Sequence, residues 1–201
     1  MKFLSVPLKQ LLIYLVKFFS IFCIAYFGTF VVEALAAPEG KYYSHFIDKY
    51  FNYVEWIRYS LLYMSKFFLS IFGYNTVIIN NASLQLVAGR SVHIGYGCIG
   101  YGVMFFWLAF MMANNGTWPK KIMWFIAGSV LIWLINIFRI CLLLVSLNIN
   151  RQLPFELDSH TFFNICAYIV IFIMIYIYDR SEKKKNGKVE RVDEIEKVEE
   201  V

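Results

Sequence analysis

Residues Ile122–Leu147 read IMWFIAGSVLIWLINIFRICLLLVSL, an apolar run broken by one charge, Arg139. A helix needs about 20 apolar residues to cross the ~30 Å of hydrocarbon in a bilayer, so this run is long enough to span one. Three other stretches approach that length: 11–32, interrupted by Lys17; 98–114, stopping at Asn114-Asn115-Gly116; and 161–178, closed by Asp179-Arg180. Around them the chain of 201 residues is 60% apolar and only 16% charged. Fourteen of its 33 formal charges lie in residues 180–201. A body this apolar excludes a water-soluble enzyme, and a nucleic-acid partner would need a basic face that is lacking.

The pattern predicts an all-α integral membrane protein with about four transmembrane helices. It also predicts a long interfacial amphipathic helix over about 41–72, because the polar residues there recur at spacings of three and four and form one stripe. The rival reading of that segment is a crossing helix from Trp56 to Phe72 that carries Lys66 towards a bundle interior. Between Tyr74 and Gly97 come short β-type runs, Val77–Ile79, Ser83–Val87 and Val92–Ile94, broken by Asn80-Asn81 and Gly89. They predict a small outer hairpin over about 76–95.

Lys and Arg gather on the cytoplasmic side of short loops. Four spans put Lys2, Lys9, Lys120, Lys121, Arg180 and Lys183–Lys185 all inside, whereas five would place Lys2 and Lys9 outside. Both termini are therefore expected in the cytoplasm, with the chain integral to the inner membrane. The first apolar run is longer than the ~7–15 residues of a signal-peptide core, which favours an uncleaved anchor over cleavage after Ala34-Leu35-Ala36. No linker or repeat interrupts residues 1–179, so they read as one membrane-embedded domain. Residues 180–201 follow as a charged, solvated cytoplasmic tail.

The four cysteines include no CxxC pair, and no metal or other cofactor is implied. Cys23, Cys141 and Cys166 sit in apolar helices as small hydrophobes. Cys98 differs, because it lies among Gly95, Gly97, Gly100 and Gly102 where the outer loop becomes a membrane helix. A helix N-terminus favours a thiolate, and glycines such as Gly97 and Gly100 admit a substrate backbone and leave N–H groups for an oxyanion. The alternative is a small residue in a Gly-rich helix contact.

Arg139 costs about 2.5–3.5 kcal/mol to insert on translocon scales, so an intramembrane arginine is a functional candidate by default. At 1.5 Å per residue it lies ~27 Å above Lys121, near the outer boundary, unless it merely snorkels to headgroups there. Asn136, three residues earlier, shares its face. His160 opens the fourth span, where it can act as general acid or base, with Asp158 beside it. The plainer reading is a polar helix start. His93 is a reserve base, and His45 falls on the amphipathic stripe. The alternating spans bring Cys98, Arg139 and His160 to one depth: nucleophile, charge stabiliser and proton shuttle for acyl transfer.

Gly97-Cys98-Ile99-Gly100 opening one helix, Asn136-Ile137-Phe138-Arg139 late in the next and Asp158-Ser159-His160 opening the last resemble the exosortase/archaeosortase family. The likeness covers roughly residues 56–178, and His160 in the last position resembles the exosortase branch. The resemblance implies a membrane-embedded cysteine transpeptidase. Its partners would be exported proteins ending in a motif, a transmembrane helix and a basic cluster. Cys98 would form a thioester at the outer face, with Arg139 stabilising the oxyanion and His160 moving the proton. The acyl group would pass to a surface glycan or lipid acceptor, with membrane lipid around the site. The rival readings are a non-catalytic transporter subunit or assembly scaffold, and a protease that only hydrolyses.

Overall fold

The computed structural model describes residues 8–114, 116–149 and 165–181. Residues 1–159 make one unit and residues 160–201 a second. In the first unit the helices are α1 Leu8–Ala36, α2 His45–Phe51, α3 Tyr53–Ile71, α4 Tyr101–Ala113 and α5 Trp118–Asn148. Strands β1 Thr76–Ile79, β2 Ser83–Leu86 and β3 Ser91–His93 lie between α3 and α4. In the second unit, residues 165–181 form a helix, α6, with Ile169, Phe172, Ile173 and Tyr176 exposed.

Among the described residues α1 and α5 are long and apolar enough to cross a membrane. Their surfaces fit that role. On α5, Ile122, Ile126, Val130, Leu134 and Phe138 are each about half exposed and recur every four residues. The opposite face, with Ile132, Asn136, Ile137, Arg139, Ile140 and Leu144, is buried. A water-facing protein does not carry an apolar stripe of that length, whereas a lipid-facing helix requires it. Pro119 falls in the first turn of α5, where a missing N–H costs nothing.

The two remaining expected spans stand differently. Helix α4 has 13 residues, about 20 Å, so the expected crossing helix over 98–114 is corrected to a shorter one. Its start moves to Tyr101 because Gly100 caps it at φ +81°, a left-handed conformation that no helix interior accepts. Residues 96–98 form a separate 3₁₀ turn. Residues 161–164 of the fourth expected span lie outside the described residues.

The single helix expected over 41–72 is two, broken at Asn52. The Asn52 side chain accepts a hydrogen bond from the Glu55 N–H and donates to Asp48, giving the backbone a cap in place of a continued helix. The polar stripe is also not turned uniformly to water. Asn52 and Ser65 are buried, and the paired Glu55 and Arg58 side chains are only 17% and 13% exposed. Tyr63, Phe67, Ile71 and Phe72 face outward instead.

The expected hairpin is a three-stranded antiparallel sheet in the order β1-β2-β3. Asn80 and Asn81 both take positive φ, 49° and 53°, as a tight turn matched to strand twist demands. Leu84, Val92 and Ile94 bury one face of the sheet against Leu61, Leu62 and Leu69 of α3 and Leu144 of α5. Asn148 at the end of α5 clips the sheet in place. Its Oδ1 accepts from the Arg90 N–H at 2.7 Å, and its Nδ2 donates to the Arg90 carbonyl at 3.4 Å.

Side-chain bonds set the order of the helices. Trp133 Nε1 on α5 donates to Ser60 Oγ at 3.0 Å and Cys141 Sγ donates to the Ser65 carbonyl at 3.7 Å, so α3 runs parallel to α5. On the other side Trp107, fully buried on α4, donates from Nε1 to the Trp124 carbonyl at 3.1 Å. Phe18 meets Phe106 edge-on and Tyr26 meets Tyr101, which makes α1 and α4 antiparallel.

Candidate functional site

Cys98 ends the 3₁₀ turn Tyr96–Cys98, where its N–H donates to the Gly95 carbonyl at 2.9 Å, and its side chain is partly buried. It therefore stands two residues before the N-cap of α4 rather than on the helix. Ile99, which follows, is fully buried in the cluster formed by α3, α5 and the sheet.

Asn136 reaches this turn from α5. Its Nδ2 donates to the Ile99 carbonyl at 3.0 Å, and the same amide lies so close to Gly100 that a Cβ there would collide with it. Gly100 thus satisfies two demands that no other residue meets, a positive φ and a close approach. Gly97 meets no such restriction, since a Cβ there would have nothing within 4 Å.

Arg139 lies one turn beyond Asn136 on the same face of α5 and is likewise 7% exposed. The structure therefore brings Asn136 to the backbone next to Cys98 and carries Arg139 on the face that contacts it. His160 and Asp158 lie outside the described residues. His93 is on β3, paired with Ser83 across the sheet, its Nδ1 3.1 Å from Ser83 Oγ. His45 is exposed, beside Tyr43. Among the described residues no group of three or more His, Cys, Asp or Glu could hold a metal ion.

A charged cluster that the spacing of polar residues does not reveal sits beside the Cys98 turn. Arg58 on α3 binds Glu55 with two hydrogen bonds, Nε to Oε2 at 3.1 Å and Nη2 to Oε1. Its guanidinium also covers the Tyr96 ring at 5.2 Å. Glu33 on α1 feels the Arg58 charge, and its Oε1 is buried with no hydrogen-bond partner among the described residues. The available signal was the Glu55/Arg58 spacing of three, which marks an ion pair on a helix surface but not the direction that surface faces.

A cleft of about 280 Å³ lies between α1 and α4, lined by Gln10, Tyr14, Lys17 and Asn114 among others. It is at the C-terminal end of α4, whereas the Cys98 turn leads into the N-terminal end.

In comparisons with known proteins, a family model described as transmembrane exosortase matches residues 43–177, a range that holds α2 to α5, the sheet, Cys98, Arg139 and His160. No curated protein and no solved structure gives a significant match. A match over more than half of the chain identifies this membrane protein as a member of the transmembrane exosortase family.

Proposed function

We propose that the protein is a sorting cysteine transpeptidase that cleaves the C-terminal signals of exported proteins just outside their transmembrane helix. Cys98 Sγ, as thiolate, attacks the peptide carbonyl and forms the C–S bond of a tetrahedral intermediate, whose oxyanion Arg139 stabilises. Collapse breaks the C–N bond, His160 donates the proton to the leaving amine, and a thioester remains. An amine or hydroxyl of a surface glycan or lipid then attacks the thioester. Its proton passes to His160, and Cys98 leaves as thiolate.

The observation that carries this reading is the bond from Asn136 to the Ile99 carbonyl. It ties the turn bearing Cys98 to the α5 face that bears Arg139, which supports assigning the two to one site. Family membership adds its weight.

The test compares wild type with Cys98→Ala and Cys141→Ala in cells, following the C-terminus of a surface protein with a tripartite tail by mass spectrometry. Loss of processing in Cys98→Ala alone supports the reading, and any mass added to the new C-terminus identifies the acceptor. Processing that survives Cys98→Ala overturns it. A new C-terminus bearing only water reduces the activity to hydrolysis.

A further inference from the structure

The Arg58 cluster is placed where charge is costly. Replacing a largely buried ion pair by apolar residues is often neutral or stabilising, so packing alone does not account for Glu55 and Arg58 on α3. Arg58 has a second attachment that does. Its guanidinium lies over Tyr96, the first residue of the turn that ends in Cys98. Glu55 fixes the guanidinium from the same helix, and two hydrogen bonds to one carboxylate determine its plane as well as its position. Tyr96 is 43% exposed with Arg58 in place, and the cation over its ring is one restraint on it.

We infer that Arg58 is a positioning residue of this site, which through its stacking on Tyr96 holds the turn ending in Cys98 in the conformation that attack requires. The turn is thereby gripped from two sides. Asn136 of α5 holds its exit at Ile99, and Arg58 of α3 holds its entrance at Tyr96. The catalytic part of the inference rests on Cys98 being the nucleophile. The structural part, that Arg58 restrains the turn, does not.

The test uses the full chain in lipid nanodiscs and two readouts. The first is hydrogen exchange of the amides of Cys98 and Ile99, which bond to the Gly95 and Tyr96 carbonyls at 2.9 and 3.3 Å. Arg58→Met and Tyr96→Leu should each speed that exchange about 10-fold. Tyr96→Phe, which keeps the ring face, should stay within about twofold of wild type.

The second readout is steady-state cleavage of a peptide carrying a tripartite tail. Arg58→Met and Tyr96→Leu should lower kcat about 10-fold or more with KM within about twofold, and Tyr96→Phe should restore kcat. The double variant should be no worse than either single one, since both remove the same contact. Unchanged exchange in Arg58→Met, equal damage from Tyr96→Phe and Tyr96→Leu, or penalties that multiply would each overturn the inference. Should Arg58→Met fail to fold, the Tyr96 pair alone decides. If Cys98→Ala retains cleavage, the transpeptidase reading falls, while the exchange readout still judges the restraint.

Discussion

Asn136 Nδ2 donates to the carbonyl of Ile99, and the contact is possible because the next residue, Gly100, has no Cβ. One amide side chain on a long membrane helix thus fixes the backbone immediately after the candidate nucleophile. In a largely apolar surround such a bond is costly to leave unmade, because the freed carbonyl keeps its full desolvation penalty of about 1–3 kcal/mol.

Asn136→Ala should therefore lower tail processing at least 10-fold and destabilise the protein by about 1–3 kcal/mol. Asn136→Asp should be as damaging, since an ionised carboxylate accepts hydrogen bonds and cannot donate to Ile99. Cleavage assays with thermal melts of the purified variants check both.

Gly100 and Gly97 should part company. An alanine at 100 faces a left-handed backbone, worth about 1–2 kcal/mol, and in addition a collision with Asn136. An alanine at 97 has open space around its Cβ. Gly100→Ala should lose processing and melt several degrees lower, while Gly97→Ala should melt like wild type.

The Asn148 clip predicts a local effect. Asn148→Ala removes both bonds to Arg90 and should loosen the sheet from α5. Limited proteolysis should then cut within residues 87–90 at least several-fold faster, with α5 itself intact.

Cysteine chemistry predicts an inhibitor profile. N-ethylmaleimide should abolish cleavage and EDTA should leave it unchanged, as measured on the same tail peptide. Arg139→Lys should retain less than a tenth of wild-type activity, because a point charge does not reproduce the planar donor array of arginine.

Much of this arrangement can be read from the residues, and the exceptions have physical reasons. Long apolar runs announce α1 and α5, and the β-type runs at 77–79, 83–87 and 92–94 match the three strands closely. Asn52 was hidden because the spacing of polar residues continues through it, although its side chain caps a new helix. The facing of α3 was hidden for a different reason. Periodicity shows that one side is polar but not which side the protein covers, and here Asn52, Ser65 and the Glu55–Arg58 pair turn inward while aromatic residues turn out. Helix α4 starts three residues after its apolar run begins, because the left-handed φ of Gly100 leaves no mark in hydropathy. Cys98, Asn136 and Arg139 stood out as residue types in unusual places. Arg58 did not, since an arginine beside a glutamate on an amphipathic helix looks like surface.

The central claim, that Cys98 carries the acyl group, is tested most directly by trapping the intermediate. The wild-type protein would be mixed with a tripartite-tail substrate, quenched in acid and mapped by mass spectrometry. The account predicts the cleaved substrate attached to the Cys98 peptide, released by hydroxylamine and absent from Cys98→Ala. Cleavage that proceeds with no adduct on Cys98, and equally fast in Cys98→Ala, would contradict it.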